Sequence, residues 1–130
     1  MSKKFFVLLI LFLLDRVLKI YFWQHTNFAY LNQNISFSLP IGQYFLWPIL
    51  FLLIIFVYYQ CLKNYQKNTK HFFAWGLIFI GAASNILDRL NYGGVIDFIS
   101  VPYFTVFNLS DVFIFCGVVY LLLVKLKTPA

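Results

Sequence analysis

A chain of 130 residues that is 62% hydrophobic and 11% charged cannot clothe a water-soluble fold, which at this size is mostly surface and carries about 25% charged residues. That excludes a water-soluble enzyme or a nucleic-acid-binding module, despite the formal net charge of +6. The 17 Phe, 9 Tyr and 3 Trp suit lipid-facing helices and interfacial belts, so the composition is that of an integral membrane protein.

Four apolar stretches follow in chain order, at residues 5–23, 44–62, 72–90 and 106–124. Each is about 19 residues, which at the helical rise spans about 28 Å, the thickness of a hydrocarbon core. They use most of the chain, predicting an all-α membrane protein with one four-helix domain over residues 1–130. Lys3 and Lys4 precede the first helix, Lys63, Lys67 and Lys70 join the second to the third, and Lys125 and Lys127 follow the fourth. The connections at 24–43 and 91–105 hold no Lys or Arg. The positive-inside rule therefore places both termini in the cytoplasm and these two loops outside. Lys3 and Lys4 before an apolar run also resemble a secretory signal peptide, but Asp15-Arg16-Val17-Leu18-Lys19 is no small-residue cleavage site, so a retained helix is expected. Cys61 and Cys116 fall in separate spans and are expected to stay unpaired.

All four acids are aspartates: Asp15, Asp88, Asp97 and Asp111. Ionisable groups at membrane depth are costly and are candidates for function. Asp15 and Lys19 share a face of the first helix, which predicts a structural ion pair. Asn85, Asp88 and Arg89 form a polar stripe closing the third helix, after the small residues Gly81-Ala82-Ala83-Ser84. On spacing alone this stripe could be a helix–helix hydrogen-bond network. Asn91-Tyr92-Gly93-Gly94 reads as a turn. Asp97 then stands alone in the apolar run Val95-Ile96-Asp97-Phe98-Ile99, and Asp111 is placed about 7.5 Å inside the outer edge of the fourth helix. A re-entrant loop would let these two meet at the outer surface. Two carboxylates converging in a low dielectric share one proton, as aspartyl proteolysis requires. The plainer reading makes Asp97 a loop acid and Asp111 a helix cap.

Other chemistries find less support. His25 and His71 belong to opposite membrane sides, so no metal site is expected. Lys19 paired with Ser36, Ser38 or Ser110 would lack a recognisable nucleophile motif. No glycine loop for phosphate is present, and the lysines mark topology rather than a nucleic-acid surface.

Asp15-x-x-x-Lys19, Asn85-Ile86-Leu87-Asp88-Arg89, Val95-Ile96-Asp97-Phe98 and Phe107-Asn108-Leu109-Ser110-Asp111 together resemble the prolipoprotein signal peptidases (signal peptidase II), over most of the chain. The resemblance implies a four-helix aspartyl endopeptidase of the bacterial inner membrane, with its active site on the extracytoplasmic side and no cofactor. Its substrate would be a diacylglyceryl-modified prolipoprotein, cut just before the modified cysteine, with membrane lipid around it and no nucleic acid or obligate protein partner. By the same resemblance Asp97 and Asp111 are the catalytic pair, and Asn32, Asn85, Arg89 and Asn108 order the site and bind substrate. Asp88, which on sequence alone looks the better catalytic acid, is given a supporting role, satisfied by Arg89 and Asn85. The first outer loop, expected to build a small extracytoplasmic β element from 27–40, departs from the family pattern. Asn32, Phe37 and Ser38 match it, whereas Asn34 and Ile35 replace small residues, which bears on substrate grip rather than chemistry. The alternatives are a small four-helix transporter or channel using the aspartates as an ion path, and a non-catalytic assembly subunit using them as interhelical contacts; the former would often show internal symmetry, and none is visible.

Overall fold

A computed structural model describes residues 2–34, 42–67 and 70–127. Four helices dominate: α1 (Lys3–His25), α2 (Gln43–Gln66), α3 (Phe72–Tyr92) and α4 (Leu109–Lys127). Three of them, α2, α3 and α4, are long and apolar enough to cross a membrane. The remaining helix, α1, is of similar length but carries Lys3, Lys4, Asp15, Arg16 and Lys19. Only 11% of the apolar window of α2 is buried, with Phe51, Leu52, Ile55 and Tyr59 all exposed. An apolar face of that kind belongs against lipid, and the chain is an integral membrane protein.

The helices form one bundle on α3, which packs against α1, α2 and α4. Small residues make the α3–α4 crossing close. A Cβ on Gly81 would lie 2.5 Å from the Ser110 carbonyl oxygen, and one on Gly117 would lie 2.6 Å from the Ala74 carbonyl oxygen. Backbone atoms cannot rotate away, so Gly117→Val is expected to cost about 1–3 kcal/mol through forced separation of the helices. A lower unfolding temperature in detergent, with the fold retained, checks this. Cys61 and Cys116 are both free.

The fourth helix begins three residues later than the predicted 106. Thr105–Phe107 is instead a strand, β4, paired antiparallel with β3 (Ile99–Val101), with Ile99 opposite Phe107. Val106 and Phe107 are apolar in either structure, so hydropathy could not separate strand from helix. The turn between these strands has Pro102 followed by Tyr103 at φ 62°, closed by a bond from Phe104 N–H to the Val101 carbonyl. Within the 27–40 stretch expected to hold strands, β1 (Tyr30–Asn32) forms. Its partner is β2 (Val95–Asp97), with Tyr30 opposite Asp97 and Asn32 opposite Val95. Ile35, Phe37 and Ser38, on which part of that expectation rested, lie outside the described residues, as does Ser36. Gly93 caps α3 in the left-handed conformation (φ 75°), which glycine adopts without strain, and this turn sends the chain directly into β2.

Candidate active site

The polar residues of α1, α3 and α4 meet in one buried cluster of two tiers. In the lower tier, α1 supplies Asp15, Arg16 and Lys19, α3 supplies Ser84 and Asp88, and α4 supplies Ser110. Asp15, Lys19, Asp88 and Ser110 are all fully buried. Asp15 and Lys19 do pair, at 3.4 Å, but Lys19 is closer to Asp88, at 2.8 Å. The ammonium also donates to Asn85 Oδ1 at 2.9 Å and to the Ser84 and Ser110 hydroxyl oxygens at 3.3 Å. Asp15 in turn accepts from the Ser84 hydroxyl and from both the hydroxyl and backbone N–H of Ser110. The expected ion pair is therefore one edge of a network that ties three helices together. Helical spacing shows which residues share a face of α1, but not what the neighbouring helices bring to that face.

Asp88 also departs from its expected partners. Its carboxylate is held by Arg16 and Lys19, not by Arg89 and Asn85. Arg89 points elsewhere, donating to the carbonyls of Asn85 and Asn34. Among the described residues its buried Nε has no acceptor. The remaining acceptance of Asp88 is from the backbone N–H of Ile96 at 3.3 Å, so this carboxylate anchors β2 one residue before Asp97. Arg16 is not among the site residues expected from the sequence. The rule that singled out Asp15 and Lys19, an ionisable group within an apolar span, applied equally to it. Ser84 carried no such signal.

The upper tier holds Asp97 and Asp111. Asn108 is fully buried and joins them. Its amide donates to Asp97 Oδ1 at 2.8 Å, and its backbone N–H donates to Asp111 Oδ2 at 3.3 Å. The Asn108 Oδ1 accepts from the Asp111 backbone N–H at 3.0 Å. This reciprocal exchange is a capping box at the start of α4, so Asp111 does cap its helix while also facing the cluster. It lies in the first turn rather than about 7.5 Å into the helix, because β4 takes residues 106 and 107 and Asn108 caps the helix that begins at Leu109. Asn85 closes the ring: its amide donates to Asp111 Oδ1 at 3.0 Å, and its Oδ1 accepts from Asn108 at 3.2 Å. On the far side of Asp97, Asn32 of β1 donates to Oδ2 at 3.1 Å, bringing the first loop to the same carboxylate.

Asp97 is 2% exposed, because β1 and Asn108 cover it. Burial pushes its carboxyl up to about 6, and the neighbouring Asp111 charge adds to the rise. The Asn32 and Asn108 amides and the Lys19 charge hold it down in part. A carboxyl poised near neutrality beside a second carboxyl is suited to proton transfer. Among the described residues no three His, Cys, Asp or Glu side chains converge as metal ligands.

The family profile described as "Signal peptidase (SPase) II" matches residues 7–127. The chain belongs to the signal peptidase II family. The lipoprotein signal peptidase of Helicobacter pylori (strain Shi470) is 38% identical over 99 residues, covering 71% of this chain and 61% of that protein. The match thus spans less than two thirds of that relative's length. The lipoprotein signal peptidase of Caldicellulosiruptor bescii is 35% identical over 127 residues, covering 97% of this chain and 79% of its own. In overall fold the chain is similar to a bacterial membrane enzyme solved by the in meso method at 1.9 Å resolution. The TM-score is 0.83 at 23% identity, covering 97% of this chain and 94% of that one. A second bacterial membrane enzyme, solved by the same method at 2.3 Å, aligns with a TM-score of 0.80 at 20% identity, covering 95% and 87%.

Proposed function

We propose that this chain is a signal peptidase II acting as an aspartyl endopeptidase, with Asp97 and Asp111 as its catalytic pair. The observation that carries the reading is Asn108, a single buried residue whose side-chain amide donates to the Asp97 carboxylate and whose backbone N–H donates to the Asp111 carboxylate. The substrate is a bacterial prolipoprotein, cut just before its diacylglyceryl-modified cysteine. The ionised carboxylate takes a proton from water as its oxygen attacks the scissile carbonyl carbon. The protonated partner gives its proton to the carbonyl oxygen. As the resulting diol collapses and its C–N bond breaks, one diol hydroxyl returns its proton to the free carboxylate, the leaving nitrogen takes the proton of the other, and one shared proton remains. Asn32, Asn85 and Asn108 orient the two carboxylates. Arg89 offers a donor to the substrate's backbone or lipid head region. Asp88 holds β2, and so Asp97, from below.

The chain forms one domain with four spans in the bacterial inner membrane, and α1 completes the set because Asp15, Arg16 and Lys19, its charges at membrane depth, are neutralised inside the bundle. Both termini face the cytoplasm. The carboxylates and the β1–β2 element lie at the extracytoplasmic end, a placement that the lysines at the other helix ends support. The altered residue Asn34 accepts from Arg89, so it acts on substrate fit.

The test is incubation of the purified protein with a synthetic precursor peptide carrying a diacylglyceryl cysteine, with the products weighed by mass spectrometry. One cut directly before that cysteine is expected, unaffected by chelators. With Asp97 raised to about 6 beside the Asp111 charge, kcat/KM should fall as the pH rises through that region, as the pair loses the one proton that its acid must give. A flat profile between pH 5 and about 8 would remove Asp97 from the proton transfers. A transporter or assembly subunit leaves the peptide intact.

A further inference from the structure

At the end of the bundle away from the carboxylates, α1 and α2 both rest on α3 and enclose a crevice of about 590 Å³ between them. Its lining is almost wholly apolar, with Leu9 on the α1 wall, Cys61 and Leu62 on the α2 wall and Phe79 on the floor. The volume falls in the range of small-molecule sites. At its mouth is a second recess of about 210 Å³, lined by Ser2, Lys3, Lys4, Tyr65 and Phe72. Ser2, Tyr65 and Phe72 line both, so a basic head space opens directly into an apolar tail space. Neither lysine has an ion-pair partner among the described residues. The nearest acid along α1 is Asp15, about 16 Å away by the helical rise. Lys63 and Lys67 at the end of α2 add further positive charge at this level.

We propose that this crevice is a binding site for one anionic phospholipid, with its phosphate on Lys3 and Lys4 and an acyl chain between α1 and α2. The apolar walls exclude any polar occupant, and the lateral opening in an integral membrane protein faces lipid. The two unpaired ammonium groups select the headgroup. A zwitterionic choline lipid brings its own cation toward them, whereas a glycerol phosphodiester does not. Neither the proposed cleavage chemistry nor its residues enter the argument, since every carboxylate lies in the other part of the bundle.

The full-length protein in nanodiscs of dioleoylphosphatidylglycerol and dioleoylphosphatidylcholine at equal mole fraction provides the test. After transfer to mild detergent, the retained lipid is counted by native mass spectrometry. About tenfold or greater preference for the phosphatidylglycerol is expected, as two favourable lysines allow. Lys3→Gln with Lys4→Gln should bring the ratio close to one. Lys125→Gln with Lys127→Gln removes the same charge from the end of α4, which does not line the crevice, and should leave the preference unchanged. Cys61→Trp and Leu9→Trp fill the crevice from opposite walls and should each abolish retention of both lipids, so one misfolded variant does not decide the matter. Equal retention by the unaltered protein overturns the proposal. So does a loss of preference in the α4 pair as large as in the α1 pair, which would mean surface charge without a site. Displacement of the lipid by the precursor peptide, or by dimerisation of the protein, would also overturn it.

Discussion

Asp97→Asn and Asp111→Asn each lower the cleavage rate of a diacylglyceryl-modified precursor by about 10²–10⁴-fold, the range for loss of a positioned acid or base. The double variant is little worse than either single one, because a shared proton needs both members. Stability separates this from a folding effect, and for Asp97 the sign can be worked out. Its carboxyl is raised from 3.8 to about 6 in the folded protein, so the native state holds the proton more tightly than the unfolded chain. Stability from this group is fully present below about pH 4 and is lost as the pH rises through about 6. Asp97→Asn should remove that fall from the unfolding curve. The cost of the substitution lies elsewhere. Asn32 and Asn108 donate to different oxygens of Asp97, and an amide offers one of them a second donor in place of an acceptor. Unfolding temperatures between pH 4 and 8, beside turnover, test both halves. A variant that keeps more than a few per cent of turnover would shift the acid–base role to Asp88.

Lys19→Met destabilises the protein by about 3–5 kcal/mol, because removing one member of a buried charge cluster strands the others. Asp15 and Asp88 would then share a buried site in which Arg16 reaches only Asp88. On the sequence alone, replacing both Asp15 and Lys19 with apolar residues should restore much of the loss and leave activity partly intact. The structure reverses that expectation. Without Asp15, the Ser110 backbone N–H and the hydroxyls of Ser84 and Ser110 lose their acceptor. Without Lys19, Asp88 and Asn85 lose a donor. Asp15→Leu with Lys19→Met is therefore expected to be no more stable than Lys19→Met, an outcome that neighbouring sites sharing partners allow. Activity falls as well, since Lys19 holds Asn85 Oδ1 while the amide of Asn85 holds Asp111. Chemical denaturation in detergent micelles, with turnover measured on the folded fraction, distinguishes the two accounts. Recovery of stability in the double variant would restore the simple pair.

Composition and the spacing of apolar runs determined that this chain enters a membrane, and located its helices to within a few residues. Lipid imposes a length on each span, and length and hydropathy are local properties. The scarcity of acids had a similar force: with four carboxylates in an apolar chain, Asp97 and Asp111 stood out as candidates, and the ordered motifs pointed to the family. Which groups each carboxylate touches was another matter. Asp88 takes Arg16 rather than Arg89 because α1 and α3 lie against one another at that level, a relation between residues 72 positions apart. Tyr30–Asn32 is a strand because Val95–Asp97 lies beside it, and residues 106–107 leave the expected fourth helix because 99–100 pair with them. The burial of Asp97, and with it a carboxyl raised toward neutrality, follows from those pairings. Local sequence sets what a segment can become; partners distant in the chain select the outcome and supply the low dielectric on which the chemistry depends.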